Sequence, residues 1–236
     1  MTPDDLAAVM EQTWPPAETY RVGPWLIRNG KGGGKRVSAA TAAADWTDEA
    51  IPDAEASMRA LGQQPLFLIR QGDVLLDQAL QSRGYRIVDP VVAYRAGSAT
   101  LATPPAPAMS AFPHWPPLAI CADLWADGGI GPERRAVMDR ATGPKCAILS
   151  RSNDHPTGVA FVAIHARTAM LHALEVRAQW RRQGSAHNIL RAAAGWAQEN
   201  GADTLVLVVT LANTGARNLY ASMGMEVVGQ YHYRQK

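Results

Sequence analysis

Between Leu171 and Val209 the chain runs from an apolar stretch, LHALEV, through an arginine–glycine turn, RRQGS, into a helical pattern and then into TLVLVV. No other segment constrains the fold as strongly. Ala186, Ile189, Leu190, Ala193, Ala194 and Ala197 recur at three- and four-residue steps on one helix face, and Gly201 is placed to end that helix. The continuous apolar run Thr204–Val209 suits a strand covered on both faces. A strand, a helix and a buried strand in that order make a right-handed crossover between parallel neighbours. The turn also carries chemistry. The first amides of a helix lack internal partners, and the peptide dipoles add partial positive charge there. Gly184 beside Arg181 and Arg182 therefore marks an anion site.

The flanks extend this unit. CAILS, GVAFVAIH and AMLHALEV read as strands joined by short polar turns, after a helix from Pro132 to about Ala141. Downstream, Asn213 can cap a helix that buries Ala216, Leu219, Tyr220 and Met223. Gly224 ends that helix and MEVVGQYHYR is the last strand. Antiparallel strands feeding one βαβ unit give a mixed α/β fold. The Ala- and Pro-rich stretch Arg95–Pro117 reads as a linker without helix or strand, and divides the chain into 1–97, a linker at 98–117 and 118–236.

Composition excludes several classes. A net charge of +2 with scattered basic residues does not make a nucleic-acid-binding face. Cys121 and Cys146 sit in apolar, strand-like runs and form neither a disulfide framework nor a metal-ligand spacing, so no metal is expected. The acidic start MTPDDLAAVM lacks the pattern of a signal peptide, and no apolar run is long enough for a bilayer. A soluble cytoplasmic protein without membrane partners is the expectation. The glycine-rich NGKGGGKRVS fails as a P-loop: it is one residue short, and Arg36 replaces the hydroxyl that would hold magnesium. Lying between PWLIR and RVSAAT, it reads as a mobile hairpin tip that could reach the other half and help enclose a substrate.

The C-terminal half, from Leu118 and most densely from Leu171 to Met225, resembles the acyl-CoA-dependent N-acetyltransferase (GNAT) superfamily. The family's Gln/Arg-x-x-Gly-x-Gly/Ala turn stands here as Arg181, Arg182, Gln183, Gly184, Ser185 and Ala186. Val176 closes the preceding strand, and Asn213, Tyr220 and Gly224 follow in the family's order and spacing. The resemblance implies a mostly antiparallel sheet with a central splayed parallel pair. It implies acetyl-CoA as acyl donor, with the pyrophosphate on the glycine turn and the pantetheine arm along Leu174, Val176 and Asn213. Tyr220 is placed as the general acid that protonates the leaving thiolate. The base is left between His172, preferred as a strand histidine with a suitable pKa, and Glu175, which strict strand alternation points to the opposite face. The implied reaction is direct acetyl transfer to a primary amine, on a small molecule or a peptide. A homodimer is compatible with the family. The alternative is a CoA-binding sensor or assembly module without turnover.

The N-terminal half carries an echo. With Gly84 beneath Gly224, PLFLIRQGDVLLDQALQSRGYRIV aligns without a gap to the C-terminal strand–helix–strand, an offset of 140 residues. Asp73 falls under Asn213 and Leu80 under Tyr220. The pattern suggests tandem halves, with the first copy reduced. Its counterpart of the glycine turn, AADWTDEAIPD, has carboxylates where a pyrophosphate would bind.

Overall fold

The computed structural model describes all 236 residues. Eight strands form the main sheet: β4 (Leu66–Arg70), β5 (Arg86–Gly97), β6 (Ala111–His114), β7 (Lys145–Ser152), β8 (His155–His165), β9 (Thr168–Val176), β10 (Thr204–Thr210) and β11 (Glu226–Gln235). Their spatial order is β4-β11-β5-β10-β9-β8-β7-β6. A smaller antiparallel sheet holds β1 (Glu18–Val22), β2 (Trp25–Asn29) and β3 (Thr41–Ala42). The helices are α1 (Pro3–Thr13), α2 (Ile51–Ala60), α3 (Val74–Ser82), α4 (Ser98–Leu101), α5 (Ala119–Asp127), α6 (Pro132–Arg140), α7 (Ser185–Glu199) and α8 (Thr214–Ser222).

The expected crossover is present. β9 leads through the glycine turn and α7 into β10, which pairs parallel to β9. Residues Ile189, Leu190, Ala193, Ala194 and Ala197 of α7 are buried with Leu205 and Leu207 of β10 on one sheet face. Val206 faces the opposite way, into a cluster with Leu6, Val9 and Met10 of α1. β10 is thus covered on both sides, which is why its sequence does not alternate.

The two halves share the sheet. β11, the last strand of the chain, lies between β4 and β5, and β5 lies between β10 and β11. Each half therefore closes its strand–helix–strand unit around a strand from the other. The helices α3 and α8, and the starts of β5 and β11, keep the offset of 140 residues seen in the sequence. Phe67, which lies 140 residues before Leu207, makes a parallel bridge to Ala40, much as Leu207 pairs in parallel with Leu171.

A half-buried polar cluster around Arg234 fastens the exchange. Asp77 on α3 accepts from Arg234 Nε and pairs with His232 Nε2 on β11, both at 2.7 Å. The Arg234 hydrogen bond, foremost, holds the Asp77 carboxyl below the usual carboxylate range. Arg234 also donates to the Tyr85 carbonyl and to Gln81. Removing the carboxylate leaves a buried guanidinium short of a partner, so Asp77→Ala is expected to cost about 2 kcal/mol or more in denaturant unfolding. Wild-type stability in the variant would show that the cluster does not hold β11 in place.

Several local expectations change. Cys121 lies in α5 rather than a strand, because Cys121, Leu124 and Trp125 bury one helical stripe. The expected linker contains α4, and its later part forms β6 at the sheet edge. Pro113 is tolerated there because an edge strand has a side that needs no amide donor. The RVSAAT run makes a 3-10 turn at Lys35–Val37 and only the two-residue β3. The glycine loop before it is seated on α6: a Cβ at Gly33 would come within 2.6 Å of Val137 Cγ2.

Candidate functional site

The β9–β10 ladder begins at Thr168–Thr204 and ends at Leu171–Leu207. Beyond it β10 continues along β5 as far as Thr210–Val91, while β9 continues along β8 as far as Val176–Gly158. The parallel pair therefore separates, leaving His172–Val176 of β9 without a strand partner on the β10 side. The glycine turn, Glu175 and Tyr220 belong to the elements that border this opening.

The turn begins α7. Gly184 is the N-cap, with φ +90°, a backbone state that L side chains rarely adopt, and no side chain caps the helix. A Cβ built there would meet nothing within 4 Å, so the turn's outer face is open. Arg182 is also left-handed, with φ +63°. Arg181 Nε donates to the Val176 carbonyl at 3.1 Å and Gln183 Nε2 to the Gln179 carbonyl at 3.0 Å, which folds the turn back on the end of β9. Ala186 is half-buried just inside the helix, while the Ser185 side chain faces inward. Ser185 Oγ donates to Thr157 Oγ1 at 2.9 Å, Thr157 to Ser150 Oγ at 3.2 Å, and Ser150 to the Ser110 carbonyl at 3.1 Å. This buried hydroxyl chain anchors the turn to β7 and β8. Sequence reasoning missed it, since isolated serines and threonines on strands give no signal.

β9 departs from regular alternation. Phe161 pairs with His172 and Val159 with Glu175, so three steps on β9 match two on β8. The extra residue is a β-bulge in which Ala173 takes φ +51°. Directly opposed residues share a face, so the bulge turns Glu175 to the same side as His172. The expectation that they point apart is corrected for that reason. The Ala173 carbonyl accepts from Trp125 Nε1 at 2.9 Å, which fixes the bulge against α5. Leu174 and Val176 pack toward the α7 face, on the other side of the sheet.

His172 is enclosed. Arg36 Nη1 lies 3.0 Å from Nδ1, and since a guanidinium only donates, Nδ1 must accept. Nε2 therefore carries the proton and donates to Thr13 Oγ1 at 2.9 Å, while Thr13 donates onward to the Val9 carbonyl. The ring stacks on Trp14, with centroids 4.9 Å apart. Burial, with Arg36 and Arg134 nearby, lowers its pKa well below the ordinary histidine value. His172 is thus neutral with neither nitrogen free, and the geometry reverses the preference between the two base candidates.

Glu175 is half-buried. Burial raises its pKa above the ordinary value, against an opposing pull from Arg181 and Arg134. Its side chain fills the space left by Gly128 at the end of α5, where a Cβ would come within 2.6 Å of Glu175 Cγ. Tyr220 lies on the buried face of α8, its ring 5.6 Å from that of Tyr94. Burial, then Glu175 and Tyr94, push its pKa up to about 12, so the phenol keeps its proton at neutral pH. Asn213 caps α8, its Oδ1 accepting from the Ala216 amide at 3.0 Å.

Comparison with known proteins agrees with this geometry. Residues 119–225 match the sequence model of the acetyltransferase (GNAT) family. The chain is 25% identical over 235 residues to a protein described as the uncharacterized N-acetyltransferase YobR of Bacillus subtilis, covering 95% of this chain and 94% of that one. Its fold is similar to that of a GCN5-related N-acetyltransferase from Kribbella flavida, with TM-score 0.70, 19% identity, and coverage of 98% and 94%. It is also similar to a tandem GNAT protein from the clavulanic acid biosynthesis pathway, with TM-score 0.64, 10% identity, and coverage of 96% and 85%. No helix is long and apolar enough to cross a membrane.

Proposed function

On the premise that residues 119–225 form an acetyltransferase domain of the GNAT family, we propose that the chain transfers an acetyl group from acetyl-CoA to a primary amine. The observation that carries this reading is the opening between β9 and β10, with an uncapped glycine turn at its rim and Glu175 and Tyr220 along its sides. The pyrophosphate would lie on the α7 amides beside Arg181 and Arg182, with Gln183, Ser185 and Ala186 shaping the turn. The pantetheine arm would run along the unpaired edge of β9 at Leu174–Val176, past Asn213.

In the proposed reaction Glu175 takes a proton from the acceptor ammonium, directly or through water. The freed amine attacks the thioester carbonyl and a C–N bond forms; as the tetrahedral intermediate collapses, the C–S bond breaks and the nitrogen releases its second proton to water. Tyr220 gives its proton to the departing thiolate and recovers one from solvent. Holding donor and acceptor together supplies the entropic part of the acceleration. His172 acts as a wall, fixed by Arg36 and Thr13. We assign the first half, residues 1–97, to a reduced copy that completes the sheet and covers the acceptor side.

The test is acetyl-CoA consumption against pooled amines, read as free thiol over a range of pH. The profile should rise with pH as Glu175 deprotonates, with its acidic limb above the ordinary glutamate value of about 4.3. Glu175→Gln should lose that limb and about two orders of magnitude in kcat/KM near neutrality. Retention of the limb in Glu175→Gln would remove Glu175 as the base. Tight acetyl-CoA binding with no thiol release from any amine would favour the sensor alternative.

A further inference from the structure

A small cavity lies beneath α1, between the end of β4 and the Val228–Tyr231 stretch of β11. Leu6, Met10 and Trp14 form its apolar wall, and three arginines, Arg28, Arg36 and Arg70, also line it. Their partners differ. Arg28 is held within the chain: Nε donates to both Glu11 oxygens, and Nη1 to the Ala39 carbonyl and Thr41 Oγ1. Glu11, the carboxylate lining the cavity, is thereby already paired.

The other two have donors to spare. The Arg36 Nε is buried without an acceptor, and Nη1 holds His172. Arg70 uses its backbone amide to donate to Asp73, and its guanidinium makes no hydrogen bond within the chain. Burial and the neighbouring Arg28 lower the Arg70 pKa, with Asp73, Glu11 and Asp4 offsetting them only in part. An unfilled buried donor is costly to a fold and a strong attractant for an acceptor. The cavity adjoins the reaction side of β9, because Arg36 Nη1 also reaches His172, which shares a face with Glu175.

We propose that this cavity is the anion subsite of the acceptor, and that the acceptor is a primary amine bearing a compact oxyanion, a carboxylate or a phosphate. Arg36 and Arg70 hold the oxyanion, and the amine end extends past neutral His172 toward Glu175 on the same face of β9. The proposal rests on the acetyl-transfer reading for its orientation, while the anion subsite stands on its own geometry. The glycine loop acquires a role here: seated on α6, it delivers Arg36 to the cavity wall.

The experiment compares matched amines by thiol release: L-amino acids against their α-amides, and phosphoethanolamine against ethanolamine. At least one oxyanion series should exceed its neutral partner tenfold or more in kcat/KM, and which series does so tells carboxylate from phosphate. Arg70→Gln should bring that ratio toward one. Equal use of neutral amines, or an undiminished preference in both Arg70→Gln and Arg36→Gln, would overturn the proposal. A parallel calorimetric titration of the unliganded protein with the same compounds separates the two readings. Oxyanion-dependent binding that Arg70→Gln removes supports the subsite even where no amine is acetylated. Absence of binding by all of them, with no turnover, overturns it.

Discussion

Gly184→Asp should weaken acetyl-CoA binding at least a hundredfold while the chain stays folded. Two effects act in the same direction. At φ +90° any side chain is strained, although aspartate tolerates left-handed backbone better than most residues. The Cβ would enter open space on the outer face of the turn, so no packing is lost. The new carboxylate would lie beside the uncapped amides of α7 and take the place meant for a phosphate, repelling it as well. A hundredfold loss corresponds to about 2.7 kcal/mol. Gly184→Ala, with the strain but not the charge, should lose much less. Comparison of the two by calorimetry, with thermal unfolding as the control for fold, separates electrostatics from strain. Wild-type affinity in Gly184→Asp would mean that the turn is not the cofactor site.

Tyr220→Phe should lower kcat by roughly two to four orders of magnitude, the usual worth of a positioned general acid. Acetyl-CoA affinity and stability should change little, because the ring stays packed against Tyr94 and only the hydroxyl is removed. A pKa raised to about 12 keeps the phenol protonated across the working range, so Tyr220 still carries its proton when the C–S bond breaks. Pre-steady-state measurement of thiol release, where chemistry limits turnover, reads this step. An unchanged rate there would return Tyr220 to the hydrophobic core as a packing residue.

Local pattern made the crossover legible. Helix α7 needs its apolar stripe, β10 needs apolar residues on both faces, and Asn213 can cap α8 without help from distant residues. The same reasoning failed on β9. Its bulge depends on Ala173 taking a left-handed backbone held by Trp125, a residue 48 positions away, and alanine announces no such conformation. Strand parity counted from His172 therefore put Glu175 on the wrong face.

The exchange of β5 and β11 was equally hidden. Sequence records that two units repeat at an offset of 140, but not which strand completes which unit, because that is decided by non-local pairing. The groups that occupy both ring nitrogens of His172, Thr13 and Arg36, and the stacked Trp14 all lie in the N-terminal half. The histidine looked like a base because those partners are distant in sequence. The NGKGGGKRVS loop gave the one available hint, since a glycine run with no phosphate-binding spacing needs some other reason to approach a neighbour closely. Its contact with α6 supplies that reason.

The central claim is that one competent acetyl-CoA site lies in the C-terminal half and none in the first. Near the start of α2 stand Asp45, Asp48, Glu49 and Asp53, with a 3-10 turn at Asp48–Ala50 where α7 has its glycine turn. Those carboxylates suit a helix N-terminus but repel a pyrophosphate. Leu80 is buried in α3 at the position that Tyr220 holds in α8. Isothermal titration of the full chain with acetyl-CoA, corrected for active fraction, measures the number directly. The account predicts one acetyl-CoA per chain, lost in Gly184→Asp. A stoichiometry near two, or binding that survives that substitution, would contradict it.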